Sequence, residues 1–401
     1  MVKTPIYMDY HATTPLDPRV LEAMRPYLTE EFGNASSGTH RWGWHAEEAV
    51  ETARQQLADV LGCRPDEVIF TSGATESNNL AIKGVAWAYR ERGKDHLITS
   101  QAEHSSVLDT CKWLESEGFS VTYLPVDRYG RVDPDDVRRA ITPRTALITL
   151  MWANNEVGTL NPISEIGAIA QEADVLFHTD GVQAFAKYDS RVDRLGVDLM
   201  SLSGHKIYGP KGIGALYVRK RRPRVRIVPL LHGGGHERGL RSGTLNVPGI
   251  VGLGAAAQLC AQLREEEQPR IQGLRDQLWR RLQERIDLIH LNGHPTERLY
   301  NNLNVLIEFV EGEALLMSAP DVALSTGSAC HSASTTASHV LVAMGLDESA
   351  AHSAVRFGLG RWNTPEEVEY VAEYLAEKVA ALRRSSPAYA MKRRGLDIYA
   401  S

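Results

Sequence analysis

The feature that most constrains the fold is an alternation of short apolar runs with longer amphipathic stretches between residues 66 and 218. The apolar runs are rich in β-branched residues, and such runs are typical of parallel strands that are covered by helices. We therefore predict an α/β domain with a mostly parallel sheet. Its strands are expected at residues 68–71, 97–100, 121–124, 146–151, 175–179, 199–201 and 215–218.

The length of the chain predicts two domains. The chain has 401 residues, whereas a single hydrophobic core usually stops growing at about 250–300 residues. A long helical section at residues 247–286 follows the sheet region and leads into shorter strands and helices. We assign residues 16–264 to a large sheet domain, and residues 1–15 with 265–401 to a smaller α+β domain.

Local signals mark the start of two helices. Asp133 is a favoured N-cap residue and is followed by proline, which predicts a helix over residues 133–141. Thr364 and Glu367 have the spacing of a capping box, and this spacing predicts a helix over residues 365–384.

The composition argues against several classes of protein. Hydrophobic residues make up 43% and charged residues 23% of the chain, as in a folded globular protein. Lys plus Arg number 44 and Asp plus Glu number 50, so the net charge of −6 provides no positive field for nucleic acid. No apolar segment is long enough to span a membrane. Four widely separated cysteines without a C-x-x-C pair favour a reducing cytoplasm.

Lys206 is the residue that most strongly predicts a chemistry. It follows the predicted strand at residues 199–201 in the sequence Ser-Gly-His-Lys, and a glycine-rich turn comes next. Partial burial at the end of a strand favours the free amine of a lysine, which then forms a Schiff base with an aldehyde cofactor. A surface lysine beside a turn is the alternative interpretation.

Asp180 ends another predicted strand, at the carboxyl edge where open α/β sheets bind their ligands. A pyridoxal cofactor needs a carboxylate that keeps its ring nitrogen protonated, and Asp180 suits this role. Gln183, three residues later, is placed to donate to the phenolic oxygen of the ring. A helix or turn cap is the competing role for Asp180, and the motif taken alone does not separate the two.

A cofactor phosphate is expected at the start of the helix predicted over residues 77–92. The segment 72–77, Ser-Gly-Ala-Thr-Glu-Ser, joins a strand to this helix. Backbone N–H groups at the helix start and the hydroxyl of Thr75 would hold an anion there. A plain capped turn is the alternative. Neither Walker A nor G-x-G-x-x-G occurs in the chain, which argues against nucleotide binding.

Two further residues are candidates for contacts with cofactor and substrate. His104 follows the strand at residues 97–100 and is placed to stack on a flat ring and to transfer protons, although a lone histidine is more often structural. Arg356 interrupts an apolar strand predicted at residues 354–359, and a buried arginine requires an anionic partner. That partner is either a substrate carboxylate or a structural carboxylate, and the spacing favours neither.

Cys330 lies in a run of small polar residues that cannot pack a core, so we predict a mobile loop at about residues 325–338. A thiol in such a loop is accessible. Cys63, Cys111 and Cys260 instead fall in apolar or helical surroundings, which is typical of inert buried cysteines.

These motifs resemble those of the cysteine desulfurases, a pyridoxal-phosphate-dependent group of class V aminotransferases that supplies sulfur for iron–sulfur clusters. The loop around Cys330 is similar to that of the housekeeping (IscS/NifS-like) form. The resemblance covers essentially the whole chain. Besides the segments described above, it rests on Tyr7-Met8-Asp9-Tyr10, Thr13-Thr14-Pro15, Arg241-Ser242-Gly243-Thr244 and Gly358-Leu359-Gly360-Arg361.

The resemblance implies the fold of the aspartate aminotransferase-like enzymes (fold type I) and a homodimer with active sites at the subunit interface. It implies that Lys206 holds pyridoxal 5′-phosphate as a Schiff base and that Asp180 pairs with the ring nitrogen. The other implied cofactor contacts are Ala74, Thr75, His104, Asn155, Gln183, Ser203, His205 and the partner subunit's Thr244.

For the reaction, the resemblance implies that Asn155 and Arg356 bind L-cysteine. Cys330 would attack the sulfur of the bound cysteine and leave alanine and a persulfide, with Lys206 and His104 in proton transfer. The persulfide would pass to an iron–sulfur scaffold protein or to other sulfur acceptors. Cys330 is also considered as a transient iron–sulfur ligand.

Three positions depart from the commonest pattern of the family, namely His11, Gly181 and His331. Two other functions stay open. A selenocysteine lyase, or another lyase of sulfur amino acids, would release its product without Cys330. A non-catalytic assembly partner would keep the fold alone, although such a protein has no reason to retain Lys206 and Cys330 together.

Overall fold

The computed structural model describes residues 2–221, 225–326 and 337–394. Within these residues the strands are Ile6–Tyr7 (β1), Val68–Thr71 (β2), His96–Ser100 (β3), Ser120–Leu124 (β4), Thr145–Thr149 (β5), Leu176–Asp180 (β6), Leu199–Ser203 (β7), Gly214–Val218 (β8), Ile289–Asn292 (β9), Asn302–Ile307 (β10), Val322–Ala323 (β11) and Ala354–Gly358 (β12). The α-helices are Pro18–Thr29 (α1), Arg41–Leu61 (α2), Ala74–Arg90 (α3), Ser105–Ser116 (α4), Pro134–Ala140 (α5), Ile163–Glu172 (α6), Val192–Leu195 (α7), Val247–Arg285 (α8), Gly312–Ser318 (α9), His339–Ala343 (α10), Glu348–His352 (α11), Pro365–Arg384 (α12) and Pro387–Arg393 (α13). None of these helices combines the length and apolarity needed to cross a membrane.

The large sheet has the strand order β2-β8-β7-β6-β5-β3-β4. β8 runs antiparallel to β2 and β7, and the other pairs are parallel, so the predicted mostly parallel sheet is confirmed. Successive strand residues, such as Ile69 and Phe70 or Leu97 and Ile98, belong to hydrophobic clusters on opposite faces of the sheet. Both faces are therefore covered, which explains why the strands are continuous apolar runs.

A separate hydrophobic cluster surrounds a smaller antiparallel sheet with the strand order β12-β10-β9. β1 pairs in parallel with β11, and Ile6 belongs to this cluster although it lies near the start of the chain. The long helix α8 connects the two regions, because Leu253 packs in the cluster of the large sheet and Leu278 in that of the small one. The domain boundaries at residues 16 and 265 stay predictions.

The capping signals in the sequence are confirmed. The carboxylate of Asp133 accepts a hydrogen bond from the backbone N–H of Asp135 at 2.9 Å, and α5 begins directly after Asp133. Thr364 and Glu367 each accept the backbone N–H of the other at 3.2 Å, and α12 has the predicted bounds. These contacts are local in sequence, so a sequence pattern is enough to predict them.

A buried ion pair fastens the segment after β8 to the large sheet. The side chains of Arg54 and Glu237 are 3% and 1% exposed, and two guanidinium nitrogens donate to the carboxylate at 2.8 and 2.9 Å. The same carboxylate accepts the backbone N–H of Phe70 at 2.8 Å. If Glu237 were removed, the buried charge of Arg54 would lose its only buried carboxylate among the described residues and keep the half-exposed carboxylate of Glu51.

Replacing Glu237 with Ala should lower the free energy of unfolding by about 3–5 kcal/mol, because Arg54 loses its buried counter-ion and the Phe70 amide loses the carboxylate that accepts its hydrogen bond. Denaturant unfolding of the full-length protein measures this change. Glu51→Ala is the matched control: Glu51 also bonds Arg54, but its side chain is 51% exposed. An exposed pair contributes about 0–1 kcal/mol, so equal losses in the two variants would contradict the prediction.

Candidate active site

A cavity of about 560 Å³ lies where the parallel strands of the large sheet end. Because β3, β5, β6 and β7 all point their carboxyl ends to this edge, the residues that follow them converge there. The predicted site residues that line the cavity are Ala74, Thr75, His104, Asn155, Asp180, Gln183, Ser203, His205, Lys206 and Arg356. Thr244 is exposed and is not among the lining residues, and Cys330 and His331 lie outside the described residues.

Asp180 is the last residue of β6, and both of its carboxylate oxygens are bonded. Oδ1 accepts the backbone N–H of Val182 at 3.1 Å. This contact caps the turn, which is the competing role that the sequence context gave to Asp180. Oδ2 accepts an amide N–H of Asn78 at 2.9 Å. These two bonds fix the plane of the carboxylate. Since each oxygen accepts more than one hydrogen bond, Asp180 can cap the turn and still accept from a ligand.

Asn78 is a site residue that the motifs do not reveal. It is fully buried on α3, and its amide also donates to the hydroxyl of Ser106 at 2.9 Å. It follows Thr75 by three positions, so the helical period places the two residues on one face of α3. That spacing is a signal in the sequence, whereas the contact with Ser106 on α4 depends on tertiary packing.

His104 is the N-cap residue of α4, and its ring has a defined proton position. The backbone N–H of Ser106 donates to His104 Nδ1 at 3.1 Å, and the Ser106 hydroxyl lies 2.9 Å from the same nitrogen. Because a backbone N–H only donates, Nδ1 must accept, and the proton of the neutral ring is therefore on Nε2. His104 thus has a structural contact and also lines the cavity.

Lys206 follows β7 and its side chain is partly buried in the cavity wall. Its Nζ donates to the backbone carbonyls of His11 and Ala12. The amine therefore faces the segment before α1, at the same cavity edge as Asp180, which ends the neighbouring strand.

His11, one of the departures from the family pattern, is buried beside this lysine. Its Nδ1 lies 3.1 Å from Gln183 Oε1, and the Gln183 amide donates to the His11 carbonyl at 3.1 Å. Burial, together with the positive charges of Arg356 and Lys187, holds the pKa of His11 well below its ordinary value. His11 is therefore a neutral residue that orients the Gln183 side chain.

Gly181 is explained by the packing behind Asp180. A Cβ at this position would lie 2.8 Å from the side chain of Met200 on the neighbouring strand. A larger residue would therefore displace Met200 or the turn that carries Asp180.

The first turn of α3 and the end of β7 face the cavity together. α3 begins at Ala74, three residues before the predicted start, because Gly73 with φ 152° lets the chain turn directly out of β2. The N–H groups of this first turn have no acceptor within the helix. Burial, with the nearby charge of Lys206, lowers the pKa of His205 to about 4. His205 is therefore neutral at pH 7, and its ring adds no charge to the cavity.

Arg356 on β12 is 2% exposed, and the structure gives it a structural carboxylate partner, which is one of the two roles that its sequence context left open. Nη1 donates to the Asn155 carbonyl at 2.9 Å, and Nη2 donates to a carboxylate oxygen of Asp9 at 2.9 Å. Asp9 is thus a structural counter-ion. Among the described residues, no partner faces the buried Nε of Arg356. Arg356 also lines the cavity.

Ser325 is bonded to Arg356 where the described chain stops before Cys330. Arg356 Nη2 donates to the Ser325 hydroxyl at 2.6 Å, and its backbone N–H donates to the Ser325 carbonyl at 2.8 Å. The first residue of the predicted loop is therefore fixed to a cavity residue.

Ser338, where the description resumes, is also bonded beside the cavity. It donates to the carboxylate of Glu156, and the ring Nε2 of His339 lies 2.9 Å from the Glu103 carbonyl. Glu156 and Glu103 are sequence neighbours of two cavity residues. Both ends of the segment that contains Cys330 are therefore anchored next to the candidate site.

The three described cysteines are poor nucleophiles. Burial raises the pKa of Cys63 and Cys111 to about 12 and that of Cys260 to about 11. Since the thiolate is the reactive form, these residues are almost entirely inactive at neutral pH. The fourth cysteine of the sequence, Cys330, is the remaining candidate.

Comparisons with known proteins agree with this arrangement. The family model "Aminotransferase class-V" matches residues 6–371. The protein described as "Cysteine desulfurase IscS" from Anaeromyxobacter dehalogenans (strain 2CP-C) is 55% identical over 397 residues, which are 99% of this chain and 98% of that protein.

Solved structures show the same relationship. A structure described as "NIFS-LIKE PROTEIN" has a TM-score of 0.87 and 39% identity, and the match covers 94% of this chain and 99% of that one. "SspA in complex with cysteine" has a TM-score of 0.79 and 43% identity, with 90% and 100% covered. The predicted fold type I is thereby confirmed. The chain belongs to the aminotransferase class-V family and, within it, to the cysteine desulfurases.

Proposed function

We propose that this protein is a pyridoxal-phosphate-dependent enzyme that converts L-cysteine to L-alanine and keeps the sulfur as a persulfide on Cys330. The observation that carries the proposal is one cavity in which the amine of Lys206 and the carboxylate of Asp180 stand at the ends of adjacent strands. Two similar proteins support the substrate: the one described as "Cysteine desulfurase IscS" and the structure described as "SspA in complex with cysteine".

The residues of the cavity suit pyridoxal 5′-phosphate. Asp180 presents a carboxylate of fixed orientation, and the first turn of α3 presents N–H groups that lack an acceptor within the helix. Lys206 would bind the aldehyde carbon. Gln183 and Asn155 would contact the ring side, and the phosphate would lie against Ala74, Thr75, Ser203 and His205.

When bound, the cofactor would supply a conjugated ring that accepts the electron pair left at the substrate α-carbon. Asp180 would keep a proton on the ring nitrogen, and His104 would lie against the ring face. The amine of Lys206 would exchange a proton with the substrate carbon. Arg356 would bind the α-carboxylate through its guanidinium group, because this residue lines the cavity.

The sulfur step balances without an external oxidant. The thiolate of Cys330 attacks the sulfur of the bound cysteine, and a sulfur–sulfur bond forms. The Cβ–Sγ bond of the substrate breaks, its electron pair stays with the carbon, and the carbon takes up a proton. The substrate is thereby reduced to alanine, and the thiol of Cys330 is oxidised to a persulfide.

Several finer assignments belong to the same proposal. We expect a homodimer in which the partner subunit's Thr244 completes the phosphate contacts, because Thr244 of this chain is exposed and away from its own cavity. The scattered cysteines favour the cytoplasm. The sulfur acceptors would be an iron–sulfur scaffold protein and other carriers, and Cys330 is also proposed as a transient ligand of the cluster.

Mass spectrometry of the intact protein after brief exposure to L-cysteine tests the proposal. We expect the cofactor-loaded protein to gain the mass of one sulfur atom and to release alanine in parallel. A protein that binds pyridoxal 5′-phosphate but shows neither result would refute the desulfurase function. Product release from selenocysteine, without release from cysteine, would favour the alternative selenocysteine lyase.

A further inference from the structure

The buried amide of Asn78 lies where three elements meet. Asn78 is on α3, Asp180 ends β6, and Ser106 is in the first turn of α4. One amide nitrogen, with two hydrogens, is 2.9 Å from Asp180 Oδ2 and 2.9 Å from Ser106 Oγ. Both hydrogens of the amide are therefore used in joining the two residues.

The orientation of this amide is set by its surroundings. Asn78 Oδ1 is buried and has no hydrogen-bond partner among the described residues. If the amide were turned over, this oxygen would face the carboxylate of Asp180, and two acceptors would oppose each other. An unpaired buried carbonyl is itself costly. The bonds to Asp180 and Ser106 therefore outweigh that cost.

Ser106 extends the chain of hydrogen bonds to His104. Its hydroxyl accepts from Asn78, which leaves the hydroxyl proton to donate to His104 Nδ1 at 2.9 Å. The chain of bonds thus runs from a carboxylate, through an amide and a hydroxyl, to an imidazole. Each donor and acceptor along it has one consistent direction.

We propose that Asn78 is a positioning residue that couples the carboxylate of Asp180 to the imidazole of His104 through Ser106. The inference deepens the proposed function and rests on it. Asp180 is assigned to the edge of the cofactor ring and His104 to its face, so the two must keep a fixed mutual geometry. Because Asn78 is on the same helix as Ala74 and Thr75, it also ties that geometry to the phosphate end of the site.

A double-mutant cycle of Asn78→Ala and Ser106→Ala tests the coupling. The measurements are the dissociation constant of pyridoxal 5′-phosphate for the apoenzyme and the pH midpoint of the visible band of the bound cofactor. We expect Asn78→Ala to weaken cofactor binding about 10-fold or more, the loss of about one charge-assisted hydrogen bond, and to shift the midpoint. Ser106→Ala should have a smaller effect of the same kind.

The two effects should be less than multiplicative, because the second substitution breaks a chain that the first has already broken. Asn79→Ala is the matched control, since Asn79 is the half-buried neighbour on the same helix and its amide donates to the backbone carbonyl of Thr75. It should leave both readouts unchanged. Thermal unfolding of each variant identifies any loss that comes from general instability.

Independent, multiplicative effects of the two substitutions would overturn the coupling, as would an unchanged dissociation constant and midpoint in a folded Asn78→Ala variant. Ser106→Ala keeps the cycle informative if Asn78→Ala does not fold, because an unshifted midpoint in this variant also contradicts the proposal. Both readouts are taken without cysteine. Failure of the coupling is therefore distinguishable from failure of the desulfurase function, which appears as absence of alanine in the wild type.

Discussion

The Cys330→Ala variant is expected to release no alanine above background from L-cysteine and to gain no sulfur mass, while it still binds pyridoxal 5′-phosphate. The reason is that the thiol of Cys330 is the proposed sulfur acceptor, and alanine forms no persulfide. Alanine release measured by chromatography, together with the mass of the intact protein, checks this result. Cys330 lies outside the described residues, and its substitution should have the largest effect of the substitutions that we propose.

Cys63→Ala is the matched control for this prediction. Cys63 is half-buried, and burial raises its pKa to about 12, so it should contribute nothing to sulfur transfer. If Cys330→Ala retained alanine release from cysteine, the nucleophile would be misassigned. Retained release from selenocysteine alone would instead agree with the lyase alternative, in which selenium leaves without an enzyme thiol.

The Lys206→Arg variant is expected to lose alanine release by at least about 10²–10⁴-fold, the usual contribution of a positioned acid–base group. Arginine keeps the positive charge but is never neutral in proteins, so it neither binds the aldehyde carbon nor accepts a proton from the substrate. Steady-state rates, with the visible spectrum of the cofactor-treated protein, measure both losses.

Lys206→Ala separates the charge of this lysine from its chemistry. If the positive charge alone mattered, the rate of alanine release by Lys206→Arg would stay within about tenfold of the wild-type rate, and only Lys206→Ala would be inactive. The activation free energies of the two variants would then differ by about 1.4 kcal/mol or more. The proposed role requires that both variants lose alanine release equally, while the other contacts of the cavity still bind the cofactor.

The sequence predicts those parts of the fold and site that depend on local signals. Asp133 and Thr364 mark their helices because a cap involves residues only two or three positions apart. The sequence predicts Asp180 and Lys206 as site residues because Asp180 ends one apolar strand and Lys206 follows another. Parallel strands bring their carboxyl ends to one edge of the sheet. The clustering of the cavity residues follows from that topology.

The remaining parts depend on contacts between distant residues. Asn78 and Asp180 are 102 positions apart, and Arg54 and Glu237 are 183 apart, so no spacing pattern indicates that they meet. The pairing of Arg356 with Asp9 across 347 positions is of the same kind. Such contacts are set by the packing of side chains between elements, which periodicity and capping do not describe.

The anchoring of Ser325 to Arg356 limits how far the thiol of Cys330 can lie from the candidate site. Cys330 follows Ser325 by five residues, and an extended chain covers at most about 3.3–3.6 Å per residue, so Cys330 stays within about 18 Å of the anchor. If Cys330 carries the sulfur as proposed, an acceptor must bring its own reactive group within that distance of Ser325, so it has to dock beside the candidate site.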